Sequence, residues 1–228
     1  EILLTELGNA AAFYLETAIS NNDIIGISSW SESLLSAVTS MNHLNKLYNV
    51  KVVQTLGGTG EAKAREHSVH LLSRLTELVN GEKYYLPIPG IVAENFDTSL
   101  LNDKYLDMAL KLLDKVTVAL IGIGTIQKPS TLIKNSGNVF SQKEINRLKN
   151  KNAIGEMGLQ YFNQEGKPIK TSNKYRVMGI SLNQLKKVKN SIAVAGGLNK
   201  VKAIVGALRT NVINTLVTDP TTAREILK

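Results

Sequence analysis

Short apolar, β-branched runs alternate along this chain with longer stretches in which apolar residues recur every three or four positions. The runs at 24–28, 52–55, 116–121, 192–195 and 212–217 predict strands. The stretches at 33–47, 62–79, 104–113, 198–208 and 221–227 predict helices, and Leu3, Leu4, Leu7, Ala11 and Leu15 predict another at the amino end. Such alternation implies an α/β fold: a mostly parallel, Rossmann-like sheet flanked by helices, whose ligands sit outside the carboxyl ends of its strands. The pattern changes between 155 and 180. There Leu159-Gln160-Tyr161-Phe162, the turn residues 163–167 and Pro168-Ile169 predict a hairpin, a small antiparallel insertion on the sheet edge.

Composition narrows the picture. With 228 residues, 43% of them hydrophobic, one α/β domain spanning 1–228 is the simplest reading, and no linker, repeat or low-complexity tract divides it. The absence of cysteine excludes a disulfide framework and thiol catalysis. No apolar run is long enough for a membrane span or secretory signal, so the expected location is the cytoplasm, away from membranes. The net charge of +8 raises the question of nucleic acid, and Lys143, Arg147, Lys149 and Lys151 share one predicted helix. No aromatic residue interleaves with them to stack on bases, so a solvated face is the simpler reading. The positive sign also suits attraction of phosphorylated metabolites.

Chemistry concentrates where strands are expected to end. Ser191–Ala195 leads into Gly196-Gly197 and a helix from about Leu198 with Lys200 in its first turn, which places Gly197 amides, a helix amino end and a cation together, an arrangement suited to a phosphate or carboxylate. After the first strand, Ser29, Ser31 and Ser33 offer hydroxyls at a helix start, for an anion or for an ordinary cap. Gly57 and Gly58 permit close backbone approach. Asp219 suits either a cap on the last helix or a ligand contact. Gly122-Ile123-Gly124 lacks the third glycine of a dinucleotide fingerprint, and Pro168 follows the lone Gly166-Lys167 pair, so neither NAD nor an ATPase-type loop is expected. His67 and His70 are three apart on a helix without a cysteine or nearby aspartate, too little for a metal site. No cofactor and no metal are expected.

Taken in order, Gly26-Ile27-Ser28-Ser29-Trp30-Ser31-Glu32-Ser33-Leu34, Gln54-Thr55-Leu56-Gly57-Gly58-Thr59-Gly60, Leu86-Pro87-Ile88-Pro89-Gly90, Gly122-Ile123-Gly124, Ser136-Gly137-Asn138, Gly155-Glu156, Arg176-Val177-Met178-Gly179-Ile180 and the segment 195–223 resemble the effector-binding domain of SorC/DeoR-type bacterial sugar-binding transcriptional regulators. The resemblance covers nearly the whole chain. It implies a sugar-phosphate isomerase-like fold and a sensor for a phosphorylated sugar or polyol, acting on operator DNA through an amino-terminal helix-turn-helix domain absent from this chain. It also implies a homo-oligomer, dimer or tetramer. It favours phosphate over a mere cap at Ser29, Ser31 and Ser33, places His67 near the pocket, and assigns Ser136 and Asn138 to a loop over it. Glu156 becomes an acceptor for sugar hydroxyls. Relatives carry an arginine or lysine at the position of Leu56, so a second cation or a covalent imine there is in doubt. No catalytic residue is expected. A sugar-phosphate isomerase-like enzyme using Glu156, His67 and Lys200 is the main rival, and a pure assembly domain the third reading.

Overall fold

Backbone order follows the runs that are apolar on both faces. The protein is described by a computed structural model over residues 2–28, 31–58, 62–97, 103–126, 142–171 and 174–228. The first half contains α1 (Ile2–Ala18), β1 (Ile24–Ile27), α2 (Glu32–Ser40), β2 (Lys51–Gln54), α3 (Ala62–Leu78), β3 (Glu82–Tyr84), β4 (Ile91–Ala93), α4 (Lys104–Leu113), β5 (Val118–Gly122) and β6 (Gly124–Thr125). The second contains α5 (Gln142–Asn150), β7 (Gly155–Met157), β8 (Gln160–Phe162), β9 (Pro168–Ile169), β10 (Tyr175–Val177), α6 (Leu182–Leu185), β11 (Asn190–Val194), α7 (Val201–Arg209), β12 (Thr215–Val217) and α8 (Pro220–Ile226).

Six strands form one parallel sheet in the order β12-β11-β5-β1-β2-β3. Chain direction across the sheet reverses between β1 and β5, which makes their carboxyl ends the crevice where this architecture receives ligands. Alternate residues of each central strand feed two cores. Ile25, Ile27, Val52, Val118, Leu120, Ile192 and Val194 pack under α1, α2 and α3. Val53, Ala119, Ile121 and Ala193 pack on the opposite face with Leu106, Ala203, Ile204 and Ala207. Burial on both faces is why these strands read as continuous apolar runs rather than as polar–apolar alternations.

The insertion departs from expectation. It does not extend an edge of the main sheet; β6, β7, β8 and β9 form a separate four-stranded antiparallel sheet that grows from the end of β5. Gly124 pairs with Glu156 across it. The fully buried Phe162 anchors it, its ring against Gly155 and Gly206. A further two-stranded pair joins β4 to β10.

Helix ends follow their caps. The stretch expected to be helical over 33–47 stops at Ser40, where Met41 turns extended and donates its amide to the Val38 carbonyl. Asn80, Asn152 and Asn211 follow α3, α5 and α7 in left-handed conformations, φ +49°, +59° and +56°, the backbone state asparagine tolerates better than other side-chain-bearing residues.

Candidate functional site

At the reversal point, β1 ends at Ile27, and the Ser28 amide donates to the Leu120 carbonyl of β5 at 3.2 Å. Ser31 caps α2, its Oγ accepting the Leu34 amide at 3.2 Å. The Ser31 side chain rests on Gly122, where a Cβ would come within 2.5 Å of Oγ, so glycine at the end of β5 lets α2 start here. Ser33 is buried in the first turn of α2. Of the two roles open to these serines, the described contact of Ser31 is that of a cap; Ser29 lies outside the described residues, as do Ser136 and Asn138.

Gln54 fixes the next turn. Its Nε2 donates to the Leu56 carbonyl at 2.6 Å and to Ser68 Oγ at 3.2 Å, and its Oε1 accepts the Leu86 amide. Gly57 donates its amide to the Met178 carbonyl and Gly58 to the Ile88 carbonyl, both at 2.9 Å. The close approach expected of this glycine pair is therefore made to protein backbone: a Cβ on Gly57 would strike Ile88 and Gly90, whereas one on Gly58 meets nothing within 4 Å. Leu56 is fully buried and bridges to Gly179.

Lys200 stands at the amino end of α7, after the turn Gly196-Gly197, where Gly197 adopts φ +99°. Asp219 holds that turn. Its Oδ2 accepts the Gly197 amide at 2.9 Å and the Thr222 hydroxyl at 2.6 Å, while Oδ1 accepts the Thr222 amide at 2.8 Å. Thr222 Oγ1 accepts the Gly197 amide as well. Of the two roles open to Asp219, the described contacts are those of a cap. Burial works against its charge, but the Thr222 and Gly197 hydrogen bonds outweigh it and hold the carboxyl below its ordinary range.

The charges of Glu156, on β7, and Lys200, at the amino end of α7, act on one another. Glu156 is 9% exposed, not a surface residue. Its Oε2 accepts the Leu159 amide at 2.8 Å, and its Oε1 fills the space where a Cβ on Gly124 would lie. Burial raises its carboxyl above the usual range, opposed by the Leu159 amide and the Lys200 charge. Burial likewise lowers Lys200, opposed by Glu156 and Glu32. The Lys200 ammonium makes no hydrogen bond or salt bridge among the described residues, so a partly desolvated cation stands there without a direct partner.

On α3, the Nε2 of His67 is shielded from solvent without a partner among the described residues. Burial lowers it below the ordinary histidine range, against the pull of Glu32. Glu32, in the first turn of α2, acts on both His67 and Lys200. It was absent from the residues expected at the site, because an acid after a serine cap reads simply as a partner of the helix dipole. The structure thus brings Ser31, Gly122, Gly124, His67, Glu156 and Lys200 to the carboxyl edge of the sheet, with Gly197 and Asp219 supporting from behind. His70 is exposed, and no group of three or more His, Asp or Glu among the described residues is placed to hold a metal ion.

A doubly wound parallel sheet with a desolvated cation, a carboxylate and a histidine at its reversal point defines a small-molecule-binding α/β domain. A family model described as "Putative sugar-binding domain" matches residues 1–228; the chain belongs to this family, the sugar-binding domain of sugar-responsive transcriptional regulators. The chain is 27% identical over 224 residues to the deoxyribonucleoside regulator of Bacillus subtilis (strain 168), covering 97% of this chain and 70% of that protein. It is 27% identical over 228 residues to the erythritol catabolism regulatory protein EryD of Brucella abortus (strain 2308), covering 98% of this chain and 70% of that one. Among solved structures, full-length sorbitol operon regulator SorC of Klebsiella pneumoniae superposes with a TM-score of 0.88 at 24% identity, covering 99% of this chain and 73% of that one, which establishes the shared fold. No described helix is long and apolar enough to cross a membrane.

Proposed function

We propose that this site binds the phosphate ester of a sugar or polyol and that Lys200 anchors the phosphate. The observation that carries the proposal is the Lys200 ammonium, held at a helix amino end in a partly buried position with no hydrogen bond or salt bridge of its own among the described residues. An arriving dianion supplies the missing countercharge, and the α7 amino end adds to the attraction. Ser31 and Ser33, in the first turn of α2, are the hydroxyls assigned to the same ligand. Relatives named for deoxyribonucleosides and for erythritol support the class of ligand.

The physiological consequence is linkage. A ligand that prefers one arrangement of this domain shifts subunit packing in a dimer or tetramer, and through it the operator affinity of a helix-turn-helix domain elsewhere in a longer cytoplasmic protein. The test is thermal unfolding against a panel of sugar and polyol phosphates, each paired with its unphosphorylated form. Binding to the folded state alone raises stability by about 2.7 kcal/mol at a hundredfold excess over Kd. Stabilisation by an ester recovered chemically unchanged supports a sensor; conversion of the ester makes the domain an isomerase-like enzyme; silence across the panel leaves assembly as its role.

A further inference from the structure

A cleft of about 540 Å³ opens between the small sheet of β8 and β9 and the strand β10. That is the size of a site for one small molecule. None of Ser31, His67, Glu156 and Lys200 lines it. Its apolar wall is Leu159, Ile169 and Val177, and its charged residues are Glu94, which follows β4, and Lys170, which follows β9.

Leu159 shows that this wall is built at a cost. Met157 pairs with Gln160, which leaves Gly158 and Leu159 as a two-residue turn with φ +56° and +63°. Such turns favour asparagine and glycine, and a leucine enters the left-handed region only under strain. The Leu159 amide, donated to Glu156 Oε2, holds the turn in place. A hairpin tip normally stands in water, yet the Leu159 side chain is 1% exposed and lines the cleft. Strained backbone that its surroundings maintain clusters at ligand sites and switch segments.

The two charges say what the cleft can hold. The Glu94 carboxylate and the Lys170 ammonium are exposed, and neither makes a hydrogen bond or salt bridge among the described residues. They come from separate elements and are opposite in sign. A ligand carrying one charge satisfies one of them and is repelled by the other, so a phosphate dianion does not suit this place. A ligand carrying both charges satisfies both. The ring of Tyr175, 46% exposed, lines the same cleft and adds apolar surface.

We infer that this cleft binds a free amino acid with an apolar side chain, its carboxylate on Lys170, its ammonium on Glu94 and its side chain against Leu159, Ile169, Val177 and Tyr175. The site is separate from the one at Lys200 and does not depend on the reading of that lysine as a phosphate anchor.

The experiment is isothermal titration of leucine and phenylalanine into the unmodified protein, Lys170→Ala, Glu94→Gln and Lys200→Ala. Isocaproate and isoamylamine, which are leucine without its amine and without its carboxylate, are titrated beside them. Melting curves show that each variant folds. Saturable binding of an amino acid to the unmodified protein is expected. Loss of one polar contact predicts three- to tenfold weaker binding in Lys170→Ala and in Glu94→Gln, and a similar deficit for each single-charge analogue. Lys200→Ala leaves the amino acid affinity unchanged. Absence of saturable binding by both amino acids overturns the proposal, as does an affinity untouched by Lys170→Ala and Glu94→Gln. Analogues that bind as well as leucine remove the two-charge reading, and an equal loss in Lys200→Ala removes the separateness of the site.

Discussion

Gly124 and Glu156 are partners across β6 and β7, and the carboxylate occupies the volume a side chain at 124 requires. Replacing Gly124 by alanine therefore evicts Glu156 from its place. Two costs follow. Overpacking a buried contact costs about 1–3 kcal/mol, and withdrawing the carboxylate leaves the buried Leu159 amide unpaired, for about another 1–3 kcal/mol. The expected loss is about 2–6 kcal/mol, which in a domain of this size lowers the melting temperature by roughly 4–24 °C. The diagnostic is a double-mutant cycle by urea unfolding. Glu156→Ala alone costs the amide bond and a small cavity; in that background Gly124→Ala costs less than about 1 kcal/mol, because the space is already open. The two changes are then coupled by at least about 1 kcal/mol. Additivity to within about 0.5 kcal/mol refutes the argument, and with it the placement of Glu156 against Gly124.

Two other substitutions follow from the same contacts. Phe162→Ala removes the fully buried ring that seats the small sheet on Gly155 and Gly206, and unfolding measurements should find a loss of about 3–5 kcal/mol. Asp219→Asn removes the charge from the cap that holds Gly197; because Asp219 is held below its ordinary value in the folded protein, its contribution is present above about pH 4 and lost as pH falls through the folded value. At pH 7 the variant is less stable by about 1 kcal/mol, and the gap to the unmodified protein closes in acid; a gap constant from pH 7 to pH 2 sinks this explanation.

The main sheet was legible because β1, β2, β5 and β11 are covered on both faces and spell themselves in β-branched residues. β3 escaped because Glu82-Lys83-Tyr84 is a three-residue edge strand, mostly exposed, whose charges suit solvent on its free side. β4 escaped for a different reason. Its partner β10 lies some eighty residues onward, and nothing in Ile91–Ala93 announces which strand will come to it. Register across such distances is decided by packing, which sequence periodicity does not carry. In the site, Lys200 was visible as a cation beside a glycine turn, whereas His67 and Glu156 came only through the family resemblance. The meaning of the glycines was only half visible: Gly122 and Gly124 are small because Ser31 and Glu156 occupy their side-chain space, and Gly57 because the Ile88–Gly90 backbone does. A glycine signals a close approach without saying to what.

The central claim is that the partly buried Lys200 ammonium receives a phosphate. Its most direct test is calorimetric titration of one sugar or polyol phosphate and its unphosphorylated parent into the unmodified protein and into Lys200→Ala. The account predicts binding of the ester and not the parent, at least tenfold weaker in Lys200→Ala, with melting temperatures of the two unliganded proteins alike, because the Lys200 ammonium has no hydrogen bond or salt bridge among the described residues to lose. Equal affinity for ester and parent, or an ester affinity untouched by Lys200→Ala, contradicts it.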